Sequence, residues 1–217
     1  MASLARRQPA TAMQLFERNT EVDRLSEALQ RSRDADQTLD LQVTLAWYLR
    51  QRDNTRAQQL LQLARTRIDN QPLSPALEQH RARLLLVERE TLWLLSDFDS
   101  ATRAAHAALV VFESQGHFAG CADCHALIVS VCSSTGELPK RDAALAQAVD
   151  YARQAQDAHR LDFFEANQAR YAVLRDVHLA SQQWRQRFPD EWIDANPAVA
   201  AIVNAYQAAR DHNTGNF

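Results

Sequence analysis

Cys121-Ala122-Asp123-Cys124-His125 is the string in this chain whose residue types and spacing most resemble a chemical device. It matches the C-x-x-C-H pattern used for covalent c-type haem attachment. The same thiols and imidazole are zinc ligands, and Cys132 or His117 could supply a fourth for a tetrahedral site. Two observations favour a plainer role. Haem attachment of this kind belongs to an export compartment, and Arg6-Arg7 is followed by Gln-Pro-Ala-Thr-Ala rather than by the apolar core of an export signal. The residues at 121, 124, 128 and 132 also fall on one helix face, where cysteine serves as a small hydrophobe. Core packing is the expectation for Cys121, Cys124 and His125; the alternative function is a sensing domain for a small molecule, a peptide signal, or a metal or haem held through these three residues.

No second chemical constellation stands out. His80, His106, His159, His178 and His212 are scattered without metal-ligand spacing. Four glycines cannot build a P-loop or a dinucleotide fingerprint, and no G-x-S-x-G elbow occurs. Glu88 and Glu90 point about 200° apart on a helix, so they do not form a local acid pair. The expectation is a noncatalytic protein with no cofactor.

The elements that must carry these residues are helices. Only 4 Gly and 6 Pro occur in 217 residues, and Ala, Leu, Gln and Arg dominate. A 46% hydrophobic, 24% charged chain of this length can bury a sizeable core. The net charge of -3 offers no general attraction to phosphate, so no nucleic-acid partner is expected. No apolar run approaches the roughly 18 residues of a membrane span, so no membrane partner is expected either. Three cysteines confined to one segment fit a reducing, cytoplasmic location rather than a disulfide framework.

Along the chain, a turn followed by alanine recurs as Arg52-Asp53-Asn54-Thr55-Arg56-Ala57, as Ser96-Asp97-Phe98-Asp99-Ser100-Ala101, and as Gly136-Glu137-Leu138-Pro139 before Ala143-Ala144. Ala57, Ala101 and Ala144 lie 44 and 43 positions apart, the spacing of stacked supersecondary units. Leu15, Val22, Leu25 and Leu29 predict a leading helix over about 11–33. A first pair follows, with Leu41, Leu45, Tyr48 and Leu49 on one face of its first helix and Ala57, Leu60, Leu61, Ala64 and Ile68 inward on its second. Residues 76–95 and 99–115 form the second pair, 118–134 and 141–157 the third, with 135–139 between the third pair's helices. A long helix over about 161–187 precedes Phe188-Pro189, and Asn196-Pro197 opens a last helix to about 211. The expected organisation is an N-terminal helix within 1–36, three to four helix pairs over 37–188 and a capping helix with a tail over 189–217.

Ser96-x-Phe98-x-x-Ala101, continued by Ala105 and Ala108, resembles the second half of the tetratricopeptide repeat. The resemblance implies an all-α fold, a right-handed superhelical array of antiparallel helix pairs (a TPR-like α-solenoid). These units exceed the family's roughly 34 residues, as in the TPR-like superhelices of bacterial regulators. The stretch Leu45-Ala46-Trp47-Tyr48-Leu49-Arg50-Gln51-Arg52-Asp53 is also similar to the helical region of bacterial signalling proteins with a downstream diguanylate cyclase domain, although no GGDEF-type sequence is present. It implies a regulatory module that binds a protein or peptide segment or mediates homodimerisation. The family's inner-face positions carry over to Arg83, Glu90 and Trp93 in the second pair, to Gln42, Ala46 and Arg50 in the first, and to Asp123, Ser130 and Ser133 in the third. The reading favoured over partner contact is a solvated helix face for each, and for Trp47 and Trp93 the core between units.

Overall fold

Four aspartates cut the chain into helices. Asp34, Asp53, Asp97 and Asp157 each accept a hydrogen bond from the backbone N–H three residues on, at 2.7–3.2 Å. Ser74 and the Nδ1 of His117 do the same for Leu77 and Gly120. Each cap satisfies a donor that the first helical turn leaves unpaired and contributes about 1 kcal/mol. In this computed structural model the described residues are 13–94 and 96–173, with the isolated positions Ala200, Ile202, Ala205 and Ala208. They form an all-α protein: α1 (Asn19–Arg31), α2 (Ala35–Leu49), α3 (Asn54–Asp69), α4 (Pro75–Leu94), α5 (Phe98–Ser114), α6 (Phe118–Thr135), α7 (Leu138–Gln154) and α8 (Ala158–Val173). No strand occurs among the described residues.

Short turns reverse the chain between neighbours. Gly116 and Gly136 adopt left-handed backbone (φ +63° and +76°) after α5 and α6, while Ser96 and Gln156 reach the same region without glycine after α4 and α7. Every helix packs on the next, and α2 also meets α4, as α4 meets α6. Alanines make the close approach possible. Ala57 and Ala64 on α3, Ala101, Ala105 and Ala108 on α5, and Ala144, Ala148 and Ala152 on α7 are all buried. Bulk comes from α2, buried without a break from Leu45 to Leu49, and from Phe112 and Phe164.

Three expectations need correction. The leading helix begins at Asn19 rather than near residue 11, and Met13–Arg18 runs outside any helix, so Leu15 is buried without being helical. Its backbone is held by side chains at the end of α2 and in the turn that follows, described below, which takes those carbonyls away from a helix. Leu138 and Pro139 lie in the first turn of α7 rather than in a divider, because proline lacks only an N–H that this turn leaves unpaired. Finally, α6 is by length and composition apolar enough to cross a membrane, at 18 residues and mean hydropathy 1.2, where the sequence reading found no such run. Its place in the fold accounts for this: half of it is buried, among α4, α5 and α7. The expected continuation of α8 beyond 173 and the last helix lie mostly outside the described residues; the four described positions between 200 and 208 are helical.

Candidate functional site

Along the side where α2, α4, α6 and α8 meet runs a ladder of buried charge. Arg50, the residue that ends α2, donates from Nε to Glu90 on α4 at 2.6 Å, and Gln51 takes the other oxygen of Glu90. Arg83 on α4 donates to Asp123 on α6 at 2.5 Å. Arg160 on α8 reaches both oxygens of Asp123 at 2.9 Å and bonds Asp157 at 2.5 Å. The partners stand 40, 40 and 37 residues apart, close to one helix pair each. Three guanidiniums meet three carboxylates, so the ladder is neutral. That balance is required at this depth, since a buried charge without a partner is expensive. Burial alone would push the Asp123 carboxyl up, but Arg160 and Arg83 outweigh it and hold the group below its ordinary range.

Aromatic faces complete the solvation of these cations. The Arg50 guanidinium lies 3.5 Å from the Trp47 ring centroid and 5.0 Å from that of Phe16, and Arg83 lies 4.3 Å from Trp47 and 5.2 Å from Phe112.

Across this ladder lies the non-helical stretch Met13–Arg18. The Trp47 indole donates to the Gln14 carbonyl at 2.9 Å, Arg50 donates to the Leu15 carbonyl at 3.1 Å, and Arg52 donates to that of Glu17. The Gln14 N–H donates to the Tyr48 hydroxyl at 3.0 Å. The backbone groups a helix would satisfy internally are thus met by side chains over 30 residues away. Leu15 is buried, and the Phe16 ring sits 5.3 Å from that of Phe163 on α8. Beside this stretch a cavity of about 200 Å³ remains, walled by Phe16, Ser130, Phe163, Asn167 and Tyr171. A larger groove of about 640 Å³ lies between α3, α4 and α5, with Leu73 and Val110 exposed at it. Among the described residues no non-helical stretch is bonded along its backbone there as Met13–Arg18 is at the smaller site.

The C-x-x-C-H string lies deeper. Cys121 and Cys124 are fully buried, and all three cysteines are free thiols. Burial, with help from the charge of Glu113, pushes the Cys121 thiol up to about 11, and burial drives Cys124 well above its ordinary value. The His125 ring stacks on Tyr151 at 5.5 Å, with its Nδ1 buried and without a hydrogen-bond partner. His117 spends its Nδ1 on the α6 cap. Among the described residues no three His, Cys, Asp or Glu side chains converge as a metal ion would need.

Of the residues carried over to an inner face, Gln42, Arg50, Arg83, Glu90 and Asp123 are buried rather than solvated. The ladder joins four of them, while the Gln42 Oε1 lacks a hydrogen-bond partner. The Trp93 side chain lies outside the described residues. Sequence reasoning missed Arg160 and the 13–18 stretch. Extending the register by one more helix pair would have reached Arg160, 37 residues past Asp123. The chain matches no protein-family model, no curated protein and no solved structure.

Proposed function

We propose that this chain is a TPR-like, right-handed array of antiparallel helix pairs that works without catalysis, holding an extended protein segment along the first helices of its pairs. The observation that carries this reading is the surface formed by Trp47, Tyr48, Arg50 and Arg52, whose donors and acceptors meet the backbone of a non-helical segment. Main-chain recognition of this kind supplies affinity with little demand on sequence, while neighbouring apolar pockets add selectivity. The array is supported by the packing of α2 on α4 and of α4 on α6, and by the near-40-residue spacing of the ion pairs. A regulatory role in a larger signalling protein fits such a module.

The test is selection of a displayed library of random peptides, each roughly a dozen residues, against the full chain. Selected peptides should lose binding at least tenfold on Phe163→Ala or Tyr171→Ala, with the helical spectrum unchanged. No enrichment on either the full chain or the full chain carrying Leu15→Ser and Phe16→Ser, or peptides indifferent to both groove substitutions, would overturn the proposal.

A further inference from the structure

The occupant of the site is itself informative, on the reading that the site is a segment-binding groove. Four side chains of one region, Trp47, Tyr48, Arg50 and Arg52, converge on the backbone of Gln14–Glu17, and two of them, Trp47 and Arg50, are almost wholly buried in doing so. The stretch adds a buried aliphatic residue, Leu15, and an aromatic one, Phe16, against Phe163. It makes no helix of its own, although it directly precedes α1. A stretch held by backbone bonds and two apolar side chains is held the way a bound peptide is held.

We infer that Met13–Arg18 is an internal ligand that occupies the partner's place, and that the partner is a protein segment with a non-helical backbone bearing an aliphatic–aromatic pair like Leu15-Phe16. The cavity of about 200 Å³ beside Phe16 and Phe163 leaves room for a larger aromatic side chain than the chain's own. A partner with such a residue displaces the stretch and frees the region just before α1. The apparent affinity for any partner falls by the fraction of molecules in which the site stands open.

The experiment uses a fluorescent synthetic peptide with the sequence of residues 11–20, Thr-Ala-Met-Gln-Leu-Phe-Glu-Arg-Asn-Thr, and fluorescence anisotropy. It is titrated with the full chain and with the full chain carrying Leu15→Ser and Phe16→Ser together. The substituted chain should bind on the order of 10- to 100-fold more tightly than the original. Binding should vanish when the same two serines are placed in the peptide. Phe16→Ala alone gives the same comparison if the double variant does not fold. Equal affinity for both chains overturns self-occupancy. So does light scattering that shows a dimer of the original chain and a monomer of the variant, because the stretch would then occupy a second copy. If library peptides bind in a Phe163-dependent way while the chain's own peptide binds neither protein, self-occupancy fails and the groove stands. If neither kind of peptide binds, both readings fail.

Discussion

Arg160 grips both oxygens of Asp123 at 2.9 Å, joining α8 to α6 through two fully buried side chains. The same carboxylate holds Arg83 of α4, so Asp123→Ala strands two guanidiniums at once. A loss of about 3–5 kcal/mol is expected, read as a lower urea midpoint by circular dichroism. Replacing Asp123 with Leu and both arginines with Met, together with Asp157→Asn so that no carboxylate loses its arginine while the α8 cap keeps an acceptor, should recover most of that loss. A single variant as stable as the original would contradict this account.

The imidazole at the start of α6 sets a pH dependence. His117 is a hydrogen-bond acceptor against the Phe112 ring, and burial, with help from the Arg83 charge, pulls its pKa below the ordinary 6.5. Burial lowers His125 likewise. Unfolded chains therefore bind more protons than native ones below about pH 6.5. Stability should be full above that value and fall as pH drops from it through the lowered native values. Asp123 adds a second loss that begins below about pH 4. Urea midpoints at pH 7.5, 6.5 and 5.5 check the first step, and His117→Asn, which keeps a capping acceptor without the titration, should shrink it to the share that His125 contributes. Midpoints that rise on acidification would be incompatible with this assignment.

Two glycines should respond differently to alanine. A Cβ on Gly120 would stand 2.6 Å from the Phe112 ring and 2.7 Å from the His117 Nδ1, so Gly120→Ala should cost about 1–3 kcal/mol through overpacking. Gly116 faces open space but sits at φ +63°, so Gly116→Ala should cost about 1–2 kcal/mol from backbone strain alone. Shortening Phe112 to Leu should relieve the first loss in part and leave the second untouched. Thermal melts of the two glycine variants, of Phe112→Leu alone and of the two combinations decide it.

The buried thiols should be slow to react. With burial pushing the Cys121 thiol up to about 11 and driving that of Cys124 well above its ordinary value, almost no thiolate is present near neutral pH. Labelling by Ellman's reagent should keep pace with unfolding, and added zinc should leave the melting temperature unchanged. A zinc-dependent rise that Cys121→Ala and Cys124→Ala abolish would restore the sensing alternative.

Helix spacing was legible in the sequence because alanine at close helix contacts leaves a periodic trace: Ala57, Ala101 and Ala144 are all buried where that period placed them. The packing role expected of Cys121 and Cys124 was legible for the same reason. The N-terminal stretch was not. Leu15 stands seven residues before Val22, a helical interval, yet its carbonyl is taken by Arg50 from 35 positions away, and no local pattern carries such a contact. The buried ladder was misread because a charged residue on a helix face is ordinarily solvated. Only pairing at the repeat interval, Arg50 with Glu90 and Arg83 with Asp123, could have suggested otherwise.

That interval bears on misfolding. Alanine-lined helices are forgiving partners, since one small-residue stripe fits another nearly as well one turn out of step. A slip of a single turn, about 5.4 Å, would leave Glu90 and Asp123 facing hydrocarbon with their arginines out of reach. The ion pairs thus act as a ruler more than as an adhesive: they add little to the correct stack and make each incorrect stack untenable.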